Sequence, residues 1–468
     1  MIATAAVWWR FRKSSCTKNS KKESPVSVVR RNQQMSLVAY VMVPTAHHHG
    51  AWRHPAADPG FLDARWWIEL ARIYEKGRFD MLFLPDLLAI PDRTGGYEAT
   101  VSKGAQGAVQ LDPLVTLAAV SAHTRHLGLG ITRSLTFYSP YDIARSMATL
   151  DHLSGGRVAW NIVTTSQRSA ALNFGLSKLP ERGERYDRGD EAIEACLALW
   201  DSWGEDALRV DKEAGVFADS TAIRRPDYQG KWISACGPLS VPRSPQGRPV
   251  LMQAGASDRG QEFAARWGEV IFSLQHSLSD MQAFYRNVKN RARSYGRDPE
   301  QVKILNAVQV VVAETNEIAE AKRRHLESLI DPTVGLLTMS SQIGVDLSQF
   351  PLDTPLTDIG DASGTRGSLD VVLQGTRAEG LTLREAAVRY ATSELTPQIV
   401  GDADHVADEL EHFFDNKGCD GFIITPGPLP GSATDFVDLV VPKLQQRGLF
   451  RTEYEGGTLR QTMGLCSL

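Results

Sequence analysis

The stretch that decides the fold is Phe79–Asp86, FDMLFLPD. Its apolar run closes on Pro85-Asp86, and a loop containing Pro91 and Gly95-Gly96 follows. Apolar residues on both faces, then a polar residue where the chain emerges, mark a buried parallel strand. In a β/α barrel the emerging end carries the chemistry. Asp86 is therefore either a functional carboxylate or a cap on the next turn or helix.

Similar runs recur on both sides. Leu37–Val43 precedes it, and Leu127–Ser134, Arg157–Thr165, Pro249–Gly255, Val270–Gln275, Ile304–Ala313 and Gly421–Thr425 come after. Helical spacing fills the intervals: Phe61–Lys76, Pro113–His123, Tyr141–Leu150, Arg185–Trp203, Gly260–Gly268, Met281–Tyr295, Asn316–Leu329 and Ala403–Asn416. Eight short apolar strands alternating with helices predict a parallel α/β fold, and the count favours a closed (β/α)8 barrel with insertions over an open doubly wound sheet. The pattern breaks at about 210–248, which reads as an inserted hairpin or lid. It breaks again at about 331–380, where Gly, Pro, Ser, Thr and Asp accumulate.

The bulk numbers agree with this. A chain of 468 residues, 42% hydrophobic and 23% charged, builds a large core, either one elaborated barrel or two to three smaller domains. A net charge of −4 with both signs mixed gives no reason to expect nucleic acid as a partner. Five scattered cysteines without CxxC spacing suit a reduced interior rather than a disulfide framework or a zinc site. No apolar run approaches the roughly 20 residues that span a bilayer. Residues 1–34 carry eight Lys or Arg against Glu23 alone, and Met35 follows directly. The expectation is a basic, disordered tail or an upstream start artefact, with a cytoplasmic location. An organelle presequence is the alternative. The barrel spans 35–450, and 451–468 forms a C-terminal tail.

Several residues could carry chemistry. Gly128-Leu129-Gly130 has Arg133 where a dinucleotide fingerprint needs its third glycine, and it lies inside a strand; no P-loop or HExxH is present either. In QAGASDRGQEFAARWG the chain turns at Gly255, presents Ser257 and enters a helix near Gly260. Small residues and free amides at a helix start suit an anion. Ser257 is equally an ordinary N-cap with Glu262 nearby. His47-His48-His49 diverge as neighbours and have no carboxylate at ligand spacing, so no metal is expected. A histidine here, His49 among them, suits proton donation or substrate contact at a barrel mouth.

Taken together, HHGAWRHP (His48–Pro55), FDMLFLPD, LDHLSGGRVAWNIVTT (Leu150–Thr165), ERYDRGDE (Glu184–Glu191), QAGASDRG (Gln253–Gly260) and GFIITPG (Gly421–Gly427) resemble the bacterial luciferase-like flavin monooxygenases. The similar branch contains nitrilotriacetate monooxygenase component A and dibenzothiophene-sulfone monooxygenase. The resemblance covers about Met35 to Gly448. It implies a β/α barrel with insertions, FMN as cofactor, and usually a homodimer. It also implies that reduced FMN comes from a separate NAD(P)H-dependent flavin reductase, and that O2 is used to oxidise a small-molecule substrate. Carried over by position, the FMN contacts fall on Asp86 and Thr132 at the isoalloxazine, Tyr186 at the ribityl or phosphate end, and Ser257 at the phosphate. Asn161 is a further candidate at the pyrimidine edge. One position departs: the branch usually has a histidine four residues before the tyrosine, and Arg182 stands there. An arginine there can still pair with a phosphate. Deazaflavin-dependent oxidoreductases on the same barrel, and a flavin-binding barrel without catalysis, are the alternatives.

Overall fold

The computed structural model of the chain describes residues 33–92, 96–255, 257–343, 346–356, 380–394 and 396–468. The basic segment 1–32 and most of 357–380 lie outside the described residues. Eight parallel strands form the centre: β1 Ser36–Tyr40, β2 Met81–Leu84, β3 Gly128–Ser134, β4 Val158–Val163, β5 Val250–Gln253, β6 Val270–Ser273, β7 Lys303–Val312 and β8 Gly421–Thr425. Each pairs with the next in this order, except that β8 sits between β7 and β1 and so closes the ring. The expected closed (β/α)8 barrel is what the chain forms.

The alternation along β2 explains why FDMLFLPD is apolar throughout. Met81 and Phe83 point into the barrel, with Val38, Tyr40, Ala159, Met252, Leu305 and Ile423. Leu82 and Leu84 join the outer layer under the helices, with Leu37, Leu129, Ile131, Trp160 and Ile162. Both faces are buried, so a polar residue on either would lose its water. Gly130 is an inward position with no room: a Cβ there would lie 2.6 Å from Met81 Sδ. This close approach accounts for the Gly-Leu-Gly of β3.

The two aspartates that bracket β2 have opposite fates. Asp80, at the lower end, accepts from Leu37 N at 2.7 Å and from Arg451 Nη2 at 2.7 Å. Residues 451–468 thus pack under the barrel, where Leu459, Met463 and Leu465 close its lower end. Arg460 adds two bonds to the buried Glu269, at 2.6 and 3.0 Å. Asp86, at the upper end, has no hydrogen-bond partner among the described residues.

Two features differ from expectation. A ninth short strand, Gln398–Gly401, pairs with the upper half of β7 outside the ring. Strand β7 is long enough to serve β6, β8 and this extra strand in succession. Within 331–380, the helix Pro332–Ile343 was not foreseen, nor was Leu383–Ser393, which follows. They pack closely because of Gly335, where a Cβ would fall 2.0 Å from Ala387 O. The stretch at 210–248 contains antiparallel pairs at Leu208–Asp211 with Val216–Ala218 and at Tyr228–Gln229 with Ser234–Ala235. Glu191, on the helix Arg182–Trp200, accepts from the backbone N–H groups of Lys231, Trp232 and Ile233 and so ties the second hairpin down.

Candidate functional site

The upper rim of β2–β5 brings together most of the residues singled out by sequence. Thr132 and Asn161 are register partners on β3 and β4, both inward and almost wholly buried. Asn161 Nδ2 donates to Thr132 Oγ1 at 2.9 Å. That bond orients the amide, and Asn161 Oδ1 is left buried with no donor among the described residues. A buried acceptor without a partner costs about 1–3 kcal/mol, so it marks a place prepared for a ligand or ordered water.

Beside them, Asp86 is half-buried, and its carboxyl is raised to about 7. Burial is the main cause and the neighbouring Asp112 adds to it, while Arg133 opposes both. Arg133 does not neutralise Asp86 directly. Its Nη1 bonds Asp112 Oδ2 at 3.1 Å, and its guanidinium lies 3.8 Å from the Tyr138 ring centroid. Capping belongs to Asp112, which accepts from Leu114 N and Val115 N at the start of Pro113–Ser121. The cap alternative for Asp86 therefore finds no support in the hydrogen bonding.

A second group gathers above β5. Ser257 Oγ accepts from Gly260 N at 3.2 Å and caps the helix Asp258–Trp267. The Tyr186 hydroxyl reaches the same turn. A Cβ on Gly260 would lie 3.1 Å from Ser257 Oγ and 3.1 Å from the Tyr186 hydroxyl. Gly255 is just as constrained, 2.5 Å from Gly260 O on the same construction. Two hydroxyls and a helix N-terminus thus converge on one bare patch of backbone, which suits a phosphate. Ser257 is a cap, as one of its two readings held, and the geometry allows it to be a ligand as well. Tyr186 is held in place by Phe263, edge to face at 5.4 Å.

Arg182 is exposed at the first turn of the helix Arg182–Trp200, one turn before Tyr186. Arg185, which sequence reasoning passed over, is deeper. Its Nη1 donates to Pro180 O at 2.7 Å, and its Nε has no acceptor among the described residues. No periodicity or motif distinguishes it from Arg188, the other arginine of ERYDRGDE.

The third group lies over β1. His47, His48 and His49 are all buried and turn to different partners. His47 Nδ1 meets Thr396 Oγ1 at 3.0 Å, and His48 Nδ1 accepts from Gly50 N at 3.2 Å. His49 Nε2 lies 2.6 Å from Glu394 Oε1. Burial lowers His47, and lowers His48 to about 4, so both are neutral near pH 7. Among the described residues no group of three or more His, Cys, Asp or Glu side chains could hold a metal. Glu394 ends the helix Leu383–Ser393 in the left-handed region, at φ 47° and ψ 43°. A non-glycine residue held there signals a conformation that its surroundings impose. Glu394 was missed because it stands 345 positions from His49 and carries no local signature.

A closed parallel barrel, with inward polar side chains and a hydroxyl-lined helix start on one rim, is the architecture that carries active sites at the carboxyl ends of its strands. Residues 41–420 match the luciferase-like monooxygenase family model, and the chain belongs to that family. It is 48% identical over 441 residues to dibenzothiophene-sulfone monooxygenase of Rhodococcus erythropolis, covering 93% of this chain and 97% of the relative. With nitrilotriacetate monooxygenase component A of Aminobacter aminovorans the identity is 40% over 441 residues, at the same coverage of 93% and 97%. Among solved structures, a riboflavin lyase crystallised with modified FMN and riboflavin superposes with a TM-score of 0.83 at 31% identity, over 93% of this chain and 97% of that one. The chain is a monooxygenase of this family.

Proposed function

We propose that the chain is the oxygenating component of a two-component system. It takes reduced FMN from a separate NAD(P)H-dependent flavin reductase and uses O2 to oxidise a small organic substrate by C–N or C–S cleavage or hydroxylation. The observation that carries the FMN reading is the convergence of Ser257, Tyr186 and the Gly260 turn on the rim that also bears Thr132, Asn161 and Asp86. The riboflavin lyase was crystallised with a modified FMN, and the name "component A" of a relative speaks of a second component. Gly128-Leu129-Gly130 serves barrel packing, which agrees with a chain that does not bind NAD(P)H through a dinucleotide fold.

The residues fit the cofactor. Ser257 Oγ, the Tyr186 hydroxyl and the free amides of the first turn would hold the phosphate, with Arg182 and Arg185 supplying positive field. Asn161 Oδ1, without a donor, would accept from the pyrimidine edge of the ring, and the Thr132 hydroxyl is free to donate. Asp86 would lie against the isoalloxazine, protonated in a substantial fraction near neutrality. Bound reduced FMN supplies the electrons for oxygen activation. The chain's own part is to bind, to exclude water and to manage protons. With Nε2 held by Glu394, His49 has Nδ1 buried and unpartnered among the described residues, the atom from which it would give or take a proton. The test supplies FMN reduced by a generic reductase and follows oxygen uptake and product with a panel of amines, sulfides and sulfones. Strict dependence on the deazaflavin instead of FMN, or no oxygen uptake with any substrate, would overturn the proposal.

A further inference from the structure

Under β5 and β6, at the end of the barrel opposite the rim, Arg243, Arg248, Arg297 and Arg460 gather around Glu269 and Asp201. Both Glu269 oxygens are engaged. Arg460 donates to them at 2.6 and 3.0 Å, and Leu251 N adds a bond to Oε2 at 3.0 Å. Asp201 Oδ1 accepts from Arg243 Nη1 at 2.8 Å. Arg297 turns to a carbonyl, donating Nη1 to Ala265 O at 2.9 Å. Four guanidiniums thus face two carboxylates.

Arg248 is left over. Its nearest carboxylate oxygen, Glu269 Oε1, is 3.8 Å away, and none of its donors meets an acceptor among the described residues. Its Nε is buried, but the Nη groups keep access to solvent, with 20% of the side chain exposed. Arg243 stands beside it, because Gly247 N donates to Ser244 O at 2.8 Å and the two arginines flank that turn. Arg243 Nη2 has no acceptor among the described residues either, and a Cβ on Gly247 would lie 3.0 Å from it. The surplus charge is felt nearby. Burial alone would raise Glu269, yet Arg460 and Arg248 hold it at about 2. Burial, with Arg248 adding to it, brings Arg297 down to about 10. Like charges set side by side and largely out of water are costly unless something bridges them. An oxyanion does so, since its oxygens match the guanidinium fork.

We propose that Arg248 and Arg243 form an oxyanion site under the barrel, which takes one free tetrahedral dianion, sulfate or phosphate, through their open Nη groups. The dianion balances the two unmatched guanidiniums and ties the turn Ser244–Gly247 to the lower ends of β5 and β6. The site is separate from the rim and does not rest on the function proposed above.

Calorimetric titration of the full chain with sodium sulfate and with sodium phosphate, at an ionic strength held constant with NaCl, tests this. Each titration is run with and without saturating FMN, so that an ion on the rim is displaced and one under the barrel is not. One ion should bind per FMN-loaded chain. Arg248→Gln and Arg243→Gln should each weaken it about tenfold or more. Asp201→Asn removes a competing carboxylate and no cation, so it should tighten binding severalfold, and it carries the test if the arginine variants do not fold. The proposal is overturned if neither ion binds saturably, if FMN abolishes all the binding, if both arginine variants bind as wild type does, or if Asp201→Asn leaves binding unchanged or weaker. If FMN itself does not bind while sulfate still depends on Arg248, the flavin reading fails and this site stands.

Discussion

Replacing Ser257 separates its two roles. As an N-cap, its Oγ accepts one bond from Gly260 N. Alanine at such a position costs about 1 kcal/mol of stability, and glycine only a few tenths. As a phosphate ligand it would make a hydrogen bond to a charged group, worth about 1.5–3 kcal/mol, or about 10- to 150-fold in affinity. Ser257→Ala should therefore lower both the midpoint of thermal unfolding and FMN affinity. Ser257→Gly should leave the unfolding midpoint near wild type while weakening FMN just as much. Fluorescence titration with FMN and thermal unfolding of the flavin-free chain measure the two quantities independently. If both variants bind FMN within twofold of wild type, the hydroxyl is a cap alone and the phosphate assignment fails.

Asp86 should make stability and flavin binding depend on pH. Its carboxyl is raised in the fold, so its contribution is fully present below the unfolded value near 3.9 and is lost as pH rises through about 7. Asp86→Asn should thus raise the unfolding midpoint more at pH 8 than at pH 5, and an equal change at both would count against the burial argument. His49→Gln and Glu394→Gln should each leave FMN affinity near wild type while lowering turnover, by about 10²-fold or more for His49. Unchanged turnover in both would remove the pair from the chemistry. Below the barrel, burial alone would raise Glu269, but Arg460 and Arg248 hold it at about 2. Its stabilisation is therefore present above the unfolded value near 4.3 and is lost as pH falls toward 2. Arg460→Met should cost about 1.5–3 kcal/mol in denaturant unfolding at pH 7 by removing charged hydrogen bonds from a carboxylate that Arg248 still faces at 3.8 Å, and no measurable loss would refute that.

Much of this could be read from sequence because the barrel strands are buried on both faces. FDMLFLPD and its counterparts stand out as apolar runs, and the register that follows puts Asp86, Thr132 and Asn161 on one rim. Ser257 was legible for the same local reason that makes it a cap. The helix Pro332–Ile343 was not: Asp331, which accepts from Thr333 N at 2.9 Å, and Pro332 mark its start, but VGLLTMSSQI has no amphipathic period and its partner Leu383–Ser393 lies beyond a long polar stretch. The strand Gln398–Gly401 is four residues long, follows Pro397 and is only half-buried, so its pairing to β7 has no signal in its own composition. Glu394 shows the harder limit. What matters there is a partner, His49, brought to it by folding from a distant part of the chain.

Under the proposed function this chain receives reduced FMN and does not make it. Oxygen-electrode assays with the purified chain, FMN, NADH and a panel of sulfur and nitrogen compounds, each run with and without a generic flavin reductase, test it directly. The chain alone should oxidise no NADH, and at least one compound should give oxygen-dependent product once the reductase is added. Substantial NADH consumption without the reductase would contradict it.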